Sequence, residues 1–161
     1  MNKIALMLMV LTCSVGLIYA QSRQSNIIIN YTVPEVLSIN INEAFRDIDL
    51  KPGSTSGSIY DPREVNASYT INVNSQRPKK LIAQIDRNMP NNLVLELRAE
   101  APSVGNSAGF VTLTTFPQTL VENINHVGSE RRLLNFRLRA SSGAEATTSP
   151  QTRVVTLTIS D

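Results

Sequence analysis

Tryptophan is missing from this chain of 161 residues, cysteine and histidine occur once each, and aromatic residues make up only 5%. A metal site of histidines and cysteines takes three or four such side chains, so none can be built. A hydrolytic triad would need His126, the single histidine, together with one of many serines. In the context Asn-Ile-Asn-His-Val-Gly-Ser it reads as an ordinary loop residue. Platforms for stacking bases are scarce, and no basic stripe accompanies them. Lys79-Lys80 and Arg131-Arg132 are isolated pairs at expected strand starts, read as solvated flanks that discourage misplaced pairing. Nucleic-acid binding is therefore not expected. No Gly-rich phosphate loop is present, and no stretch of ten or more residues carries a 3.6-residue apolar period.

What is present begins at the amino end. Lys3 precedes a predominantly apolar run from Ile4 to Leu17, and Ala20-Gln21 offers a cleavage point. This is the layout of a secretory signal peptide, assigned to residues 1–20. A membrane anchor would need 18 or more apolar residues and a charged stop, and neither is found. A lipid-attachment site at Cys13 would need a small residue before it, where Thr12 stands. Cleavage after Ala20 takes 20 of the 161 residues and leaves 141. That chain holds no cysteine and no transmembrane segment, and its fourteen Lys and Arg face thirteen Asp and Glu once Lys3 is gone. An exported domain without disulfides must be held by its core, and about 140 residues suffice for one domain.

The apolar period is two almost everywhere. Ile27, Ile29, Tyr31 and Val33 alternate first, and Leu37, Ile39 and Ile41 follow after Pro34. Later come Tyr69-Ile71-Val73, Leu81-Ala83-Ile85, Leu93-Leu95-Leu97-Ala99, Val111-Leu113, Leu134-Phe136-Leu138-Ala140 and Val155-Leu157-Ile159. Such alternation predicts half-buried strands. Residues 87–92, with Pro90 and two asparagines, read as a hairpin connection. Residues 101–109 and 141–150 read as further connections, and 51–64 as a long surface loop rich in Gly, Ser and Pro. Residues 119–127 fit either a short strand or a helical turn. Seven to nine short antiparallel strands predict an all-β, immunoglobulin-like β-sandwich over 21–161, with a closed barrel as the alternative.

Candidate chemistry is thin. Asp47 and Asp49 lie on one side of a period-two stretch, and Asp61 and Glu64 follow, but their spacing matches no calcium loop. Surface carboxylates are the expected reading, and no catalytic, cofactor-binding or metal-ligating residues are assigned. Two sequons occur, at Asn30 and Asn66. Phe45, Tyr60, Phe110 and Phe116 lie outside the clear core alternation and are the aromatics open to a glycan.

Six stretches together resemble a group of small exported pilin-like or spore-coat-like β-sandwich proteins of bacterial surfaces. They are YTVPEVLSIN, KKLIAQIDRNMPNNLVLELRA, SAGFVTLTT, TLVENI, LLNFRLRA and VVTLTISD. The resemblance implies an envelope or extracellular location and no enzyme activity. The chain departs from the usher-assembled pilins in lacking their paired cysteines and the aromatic near the carboxyl end. The expected role is a structural or interaction module, possessing no cofactor and meeting protein partners or its own copies through strand edges at 26–33 and 153–159. The alternative is a monomeric module for a glycan or small ligand, with Tyr60, Phe116 and the 51–64 loop at its site.

Overall fold

The computed structural model describes residues 27–43, 47–51, 53, 60–147 and 149–161. Val33–Asp161 makes one compact unit. The signal peptide and its cleavage point lie outside the described residues, among which no helix is long and apolar enough to cross a membrane.

Among the described residues nine strands form two antiparallel sheets. In chain order they are β1 (Val36–Ile41), β2 (Arg63–Asn74), β3 (Lys79–Ile85), β4 (Leu93–Ala99), β5 (Asn106–Ser107), β6 (Val111–Thr112), β7 (Gln118–Ile124), β8 (Val127–Ala140) and β9 (Val155–Ser160). One sheet has the order β1-β2-β8-β4-β6, the other β5-β7-β3-β9. The described chain is thus all-β with a sandwich-like arrangement, as the alternation predicts.

Period two explains which face each strand buries. Tyr69, Ile71 and Val73 of β2, Leu95, Leu97 and Ala99 of β4, and Leu134 of β8 are buried from one sheet. Leu81, Ala83 and Ile85 of β3, with Leu120, Val121 and Ile124 of β7, meet them from the other. Each large apolar side chain so buried contributes roughly 1.5–3 kcal/mol, an upper figure because the unfolded chain already covers part of it. Tyr69 keeps its polar tip satisfied, its hydroxyl donating to the Glu100 carbonyl at 2.7 Å. Burial pushes the phenol pKa up.

Connectivity departs from the sequence reading in several places. Residues 87–92 do not close a hairpin: β3 and β4 belong to different sheets, so the turn formers carry the chain across the sandwich. Turn residues mark a reversal without saying which strand the returning chain pairs with. Residues 119–127 are resolved in favour of strand, most of them in β7. The link to β8 is made by Asn125 and His126, and His126 has φ 47°. Of the alternation at 109–115 only Val111–Thr112 forms a ladder, against β4.

Residues 27–33 form no strand, against the expectation, and Ile27, Ile29, Tyr31 and Val33 are exposed. Alternating apolar residues make a strand only when a neighbour accepts their backbone hydrogen bonds. Pro34, which has no N–H, separates this stretch from β1.

Candidate functional site: an open seam between two edge strands

Among the described residues four strands sit at sheet edges, the two-residue β5 and β6 and the six-residue β1 and β9, and the two longer ones carry rows of core-facing residues. β1 pairs with β2 alone, in the register Leu37–Val73, Ile39–Ile71 and Ile41–Tyr69. β9 pairs with β3 alone, in the register Val155–Ile85, Leu157–Ala83 and Ile159–Leu81. Each of these partners is buried, which places Leu37, Ile39, Ile41, Val155, Leu157 and Ile159 on the core face. Yet none of the six is buried. Leu37 and Ile41 remain 41% and 42% exposed, and Ile39, Val155, Leu157 and Ile159 are half-buried. β1 and β9 approach one another from the two sheets. Among the described residues no ladder joins them. The core is therefore open along a seam that has an unpaired strand edge on either side.

One end of this seam is closed by charge. Lys79 has the inward parity of Leu81, Ala83 and Ile85, and its side chain is 8% exposed. Its ammonium lies 3.2 Å from Glu35, just before β1, and 2.5 Å from Asp161, just after β9. The three side chains tie together the start of one edge strand and the end of the other. Hydrogen bonds from Asp161 and then Glu35 raise the Lys79 pKa. The Glu35 pKa is lowered first by a hydrogen bond with the buried Ser75 and then by Lys79, and that of Asp161 is lowered by Lys79. Each shift favours the charged form, and the covered ammonium is held in a clasp between carboxylates that stay 49% (Glu35) and 89% (Asp161) exposed. A cleft of about 530 Å³ opens over it, bordered also by Arg77 and His126.

At the opposite end the contacts are uncharged or peripheral. Ile48 and Met89, on the segments that follow β1 and β3, pack against the core. Asp86 and Val154 exchange two hydrogen bonds of 3.0 Å, one through the backbone and one through the Asp86 carboxylate, holding the entry to β9.

The outer face of the first sheet carries a second polar cluster. Glu96 is 6% exposed and accepts from Arg137 at 2.7 Å and from Arg139 at 2.8 Å. The Arg137 guanidinium also lies 3.8 Å from the Phe110 ring centroid, with Arg98 at 4.9 Å. Phe110 therefore fastens the short β6 to its neighbours through cation–π contacts, and its ring is not a free sugar platform.

The other residues singled out by sequence are scattered. Asp47 and Asp49 are exposed, Asp61 is half-buried, and Glu64 stands 3.9 Å from Arg137 on the outer sheet face. Among the described residues no three His, Cys, Asp or Glu side chains are grouped to hold a metal. His126 is exposed in its turn. Phe116 is 73% exposed and Tyr60 half-buried, while Phe45 and most of 52–59 lie outside the described residues. Residues 105–109 read Gly-Asn-Ser-Ala-Gly, the spacing of a nucleophile elbow, which a strand-by-strand reading passes over. The elbow needs a strand–turn–helix. Here Ser107 lies in β5, and its hydroxyl donates to the Ala99 carbonyl at 2.6 Å.

The clasp was missed because Lys79 was read as a solvated flank. Its parity with Leu81 and Ile85 was the available signal; Glu35 and Asp161 carried none, being far away in sequence.

No family model and no curated protein matches the chain. Among solved structures it is similar to a chain from the structure of a chaperone–usher pilus, described for what it reveals of rod uncoiling. The identity is 16% and the TM-score 0.42, over 86% of this chain and 96% of that one.

Proposed function

We propose that this protein is an exported, non-enzymatic structural module of the bacterial cell envelope or surface. Its copies join by strand addition, with residues 27–33 of one copy laid in the β1–β9 seam of the next. The observation that carries this is the half-exposure of six apolar side chains that face the core. An exposed apolar row beside an unpaired edge is a template for another strand. The exposed stretch 27–33 matches what the seam lacks. Its residues 27, 29, 31 and 33 put four apolar side chains on one face. Seven residues at about 3.3 Å each also span the seam beside β1 and β9, which are six residues long. The amino-terminal layout supports export, and the scattered carboxylates and single turn histidine support a role without catalysis.

The test is the assembly state of the exported chain, expressed with residues 1–20 in place. Light scattering at rising concentration and electron microscopy of the native cells are expected to show oligomers or fibres. A strict monomer at high concentration, with no fibres on the cells, would sink the proposal.

A further inference from the structure

Strand addition at the seam leaves one question open. The alternation of 27–33 opposes slips by one residue, because such a slip turns Ile27, Ile29, Tyr31 and Val33 outward and offers Ile28, Asn30 and Thr32 in their place. It does not exclude slips by two. Ile27, Ile29, Tyr31 and Val33 are all apolar, so moving the strand by two residues presents an equivalent face. The seam's own lining repeats in the same way, with Leu37, Ile39 and Ile41 on one side and Val155, Leu157 and Ile159 on the other. Something outside the apolar pattern must set the register.

Among the described residues along the core face of the seam, the clasp breaks this repeat. An apolar side chain pushed one step past Val36 and Ser160 meets the Lys79 ammonium and the two carboxylates it holds. Entry there would require separating a largely covered ammonium from its carboxylates, or burying an apolar group against them without gain. The two carboxylates are 49% and 89% exposed, so the cost lies with the covered ammonium, which would lose its partners or its remaining water to an apolar neighbour. Ser75, buried and bonded to Glu35, backs the Glu35 arm of the clasp from β2's end.

We infer that Lys79, clamped between Glu35 and Asp161, is the positioning residue that stops an added strand at the end of the β1–β9 seam and so fixes its register. The inference rests on the strand-addition reading, with a second copy of this chain as the donor.

The test uses two differently tagged preparations of the exported chain, which is expected to have no cysteine of its own once residues 1–20 are removed. One carries Asn30→Cys. The other carries a single cysteine at an outward position of an edge strand: Ser38→Cys, Asn40→Cys, Thr156→Cys or Thr158→Cys. Mixed-tag disulfides are quantified after mild oxidation, and intact-protein mass reports leader removal. With Lys79 in place, cross-linking is expected to concentrate at one position of an edge. With Lys79→Met in the acceptor, it is expected to divide about equally between positions two residues apart. Lys79→Arg, which keeps the charge, should restore the single position. If Lys79→Met does not fold, the pair Glu35→Gln and Asp161→Asn opens the clasp from the other side and should give the same spreading. An unchanged single position in the opened-clasp variants overturns the register role and leaves strand addition standing. No mixed-tag disulfide with any acceptor, Lys79 included, overturns strand addition and the register role with it.

Discussion

Replacing Ile29 by alanine separates strand addition from every reading in which residues 27–33 are a passive tether. Ile29 is 78% exposed, and no strand is formed around it. In a free monomer the substitution should leave folding stability unchanged within about 0.5 kcal/mol, as for other surface sites. In the seam the same side chain would lie among the core-facing residues of β1 and β9. Alanine lacks three of isoleucine's carbons, worth about 0.8 kcal/mol each on burial, or about 2.4 kcal/mol per joint. That corresponds to roughly 50-fold weaker association. Ile28 supplies the control: it is as exposed as its neighbour, at 85%, but has the opposite parity. Ile28→Ala should change association by less than about threefold, since its side chain stays at the surface of the added strand. Sedimentation equilibrium across a concentration series measures both, and urea unfolding confirms that the fold is untouched. Equal losses for Ile28→Ala and Ile29→Ala would refute the parity argument. No loss for either would remove 27–33 as the joining segment.

Three further outcomes follow from the fold itself. Tyr69→Phe removes the hydroxyl that donates to Glu100 and should cost about 1 kcal/mol in urea unfolding, with secondary structure retained. Gly105→Ala should destabilise by roughly 1–3 kcal/mol, read as a lower melting temperature, because a Cβ there would stand 3.1 Å from Val121 Cγ1 and 3.3 Å from the Glu122 carbonyl at φ +150°. Stability should fall in acid: Asp86, Glu130, Glu35 and Asp161 have lowered pKa values in the folded state, held down chiefly by the Val154 N–H, Ser103, Ser75 and Lys79 respectively. Their contribution is complete above their unfolded values, near 4 to 4.5, and is lost as pH falls through the lower folded values. Lys79 has the opposite sign, its contribution being complete below its unfolded value and lost only as pH rises through the raised folded one. A pH series of urea midpoints that is flat below pH 4.5 would contradict the carboxylate assignments.

What could be read from the chain alone was governed by local period. The alternation Tyr69-Ile71-Val73, Leu81-Ala83-Ile85 and Leu95-Leu97-Ala99 named the buried face of β2, β3 and β4, because the pleat puts every second side chain on one side whatever the neighbours are. The all-β class followed from that repetition. Pairing did not follow, because it depends on residues far apart in the chain. Val155, Leu157 and Ile159 look the same in sequence whether their strand is central or at an edge. Only the ladder to β3 on one side, and none on the other among the described residues, shows that β9 borders an open seam. Ile27, Ile29, Tyr31 and Val33 likewise carry a strand pattern but form no strand, since a ladder needs a partner that local sequence cannot supply. Lys79 is the sharpest case. Beside Lys80 it reads as a solvated charge, and its ammonium is covered and clasped only because folding brings Glu35 and Asp161 to the same end of the sandwich, where two carboxylates make the loss of water from an ammonium tolerable.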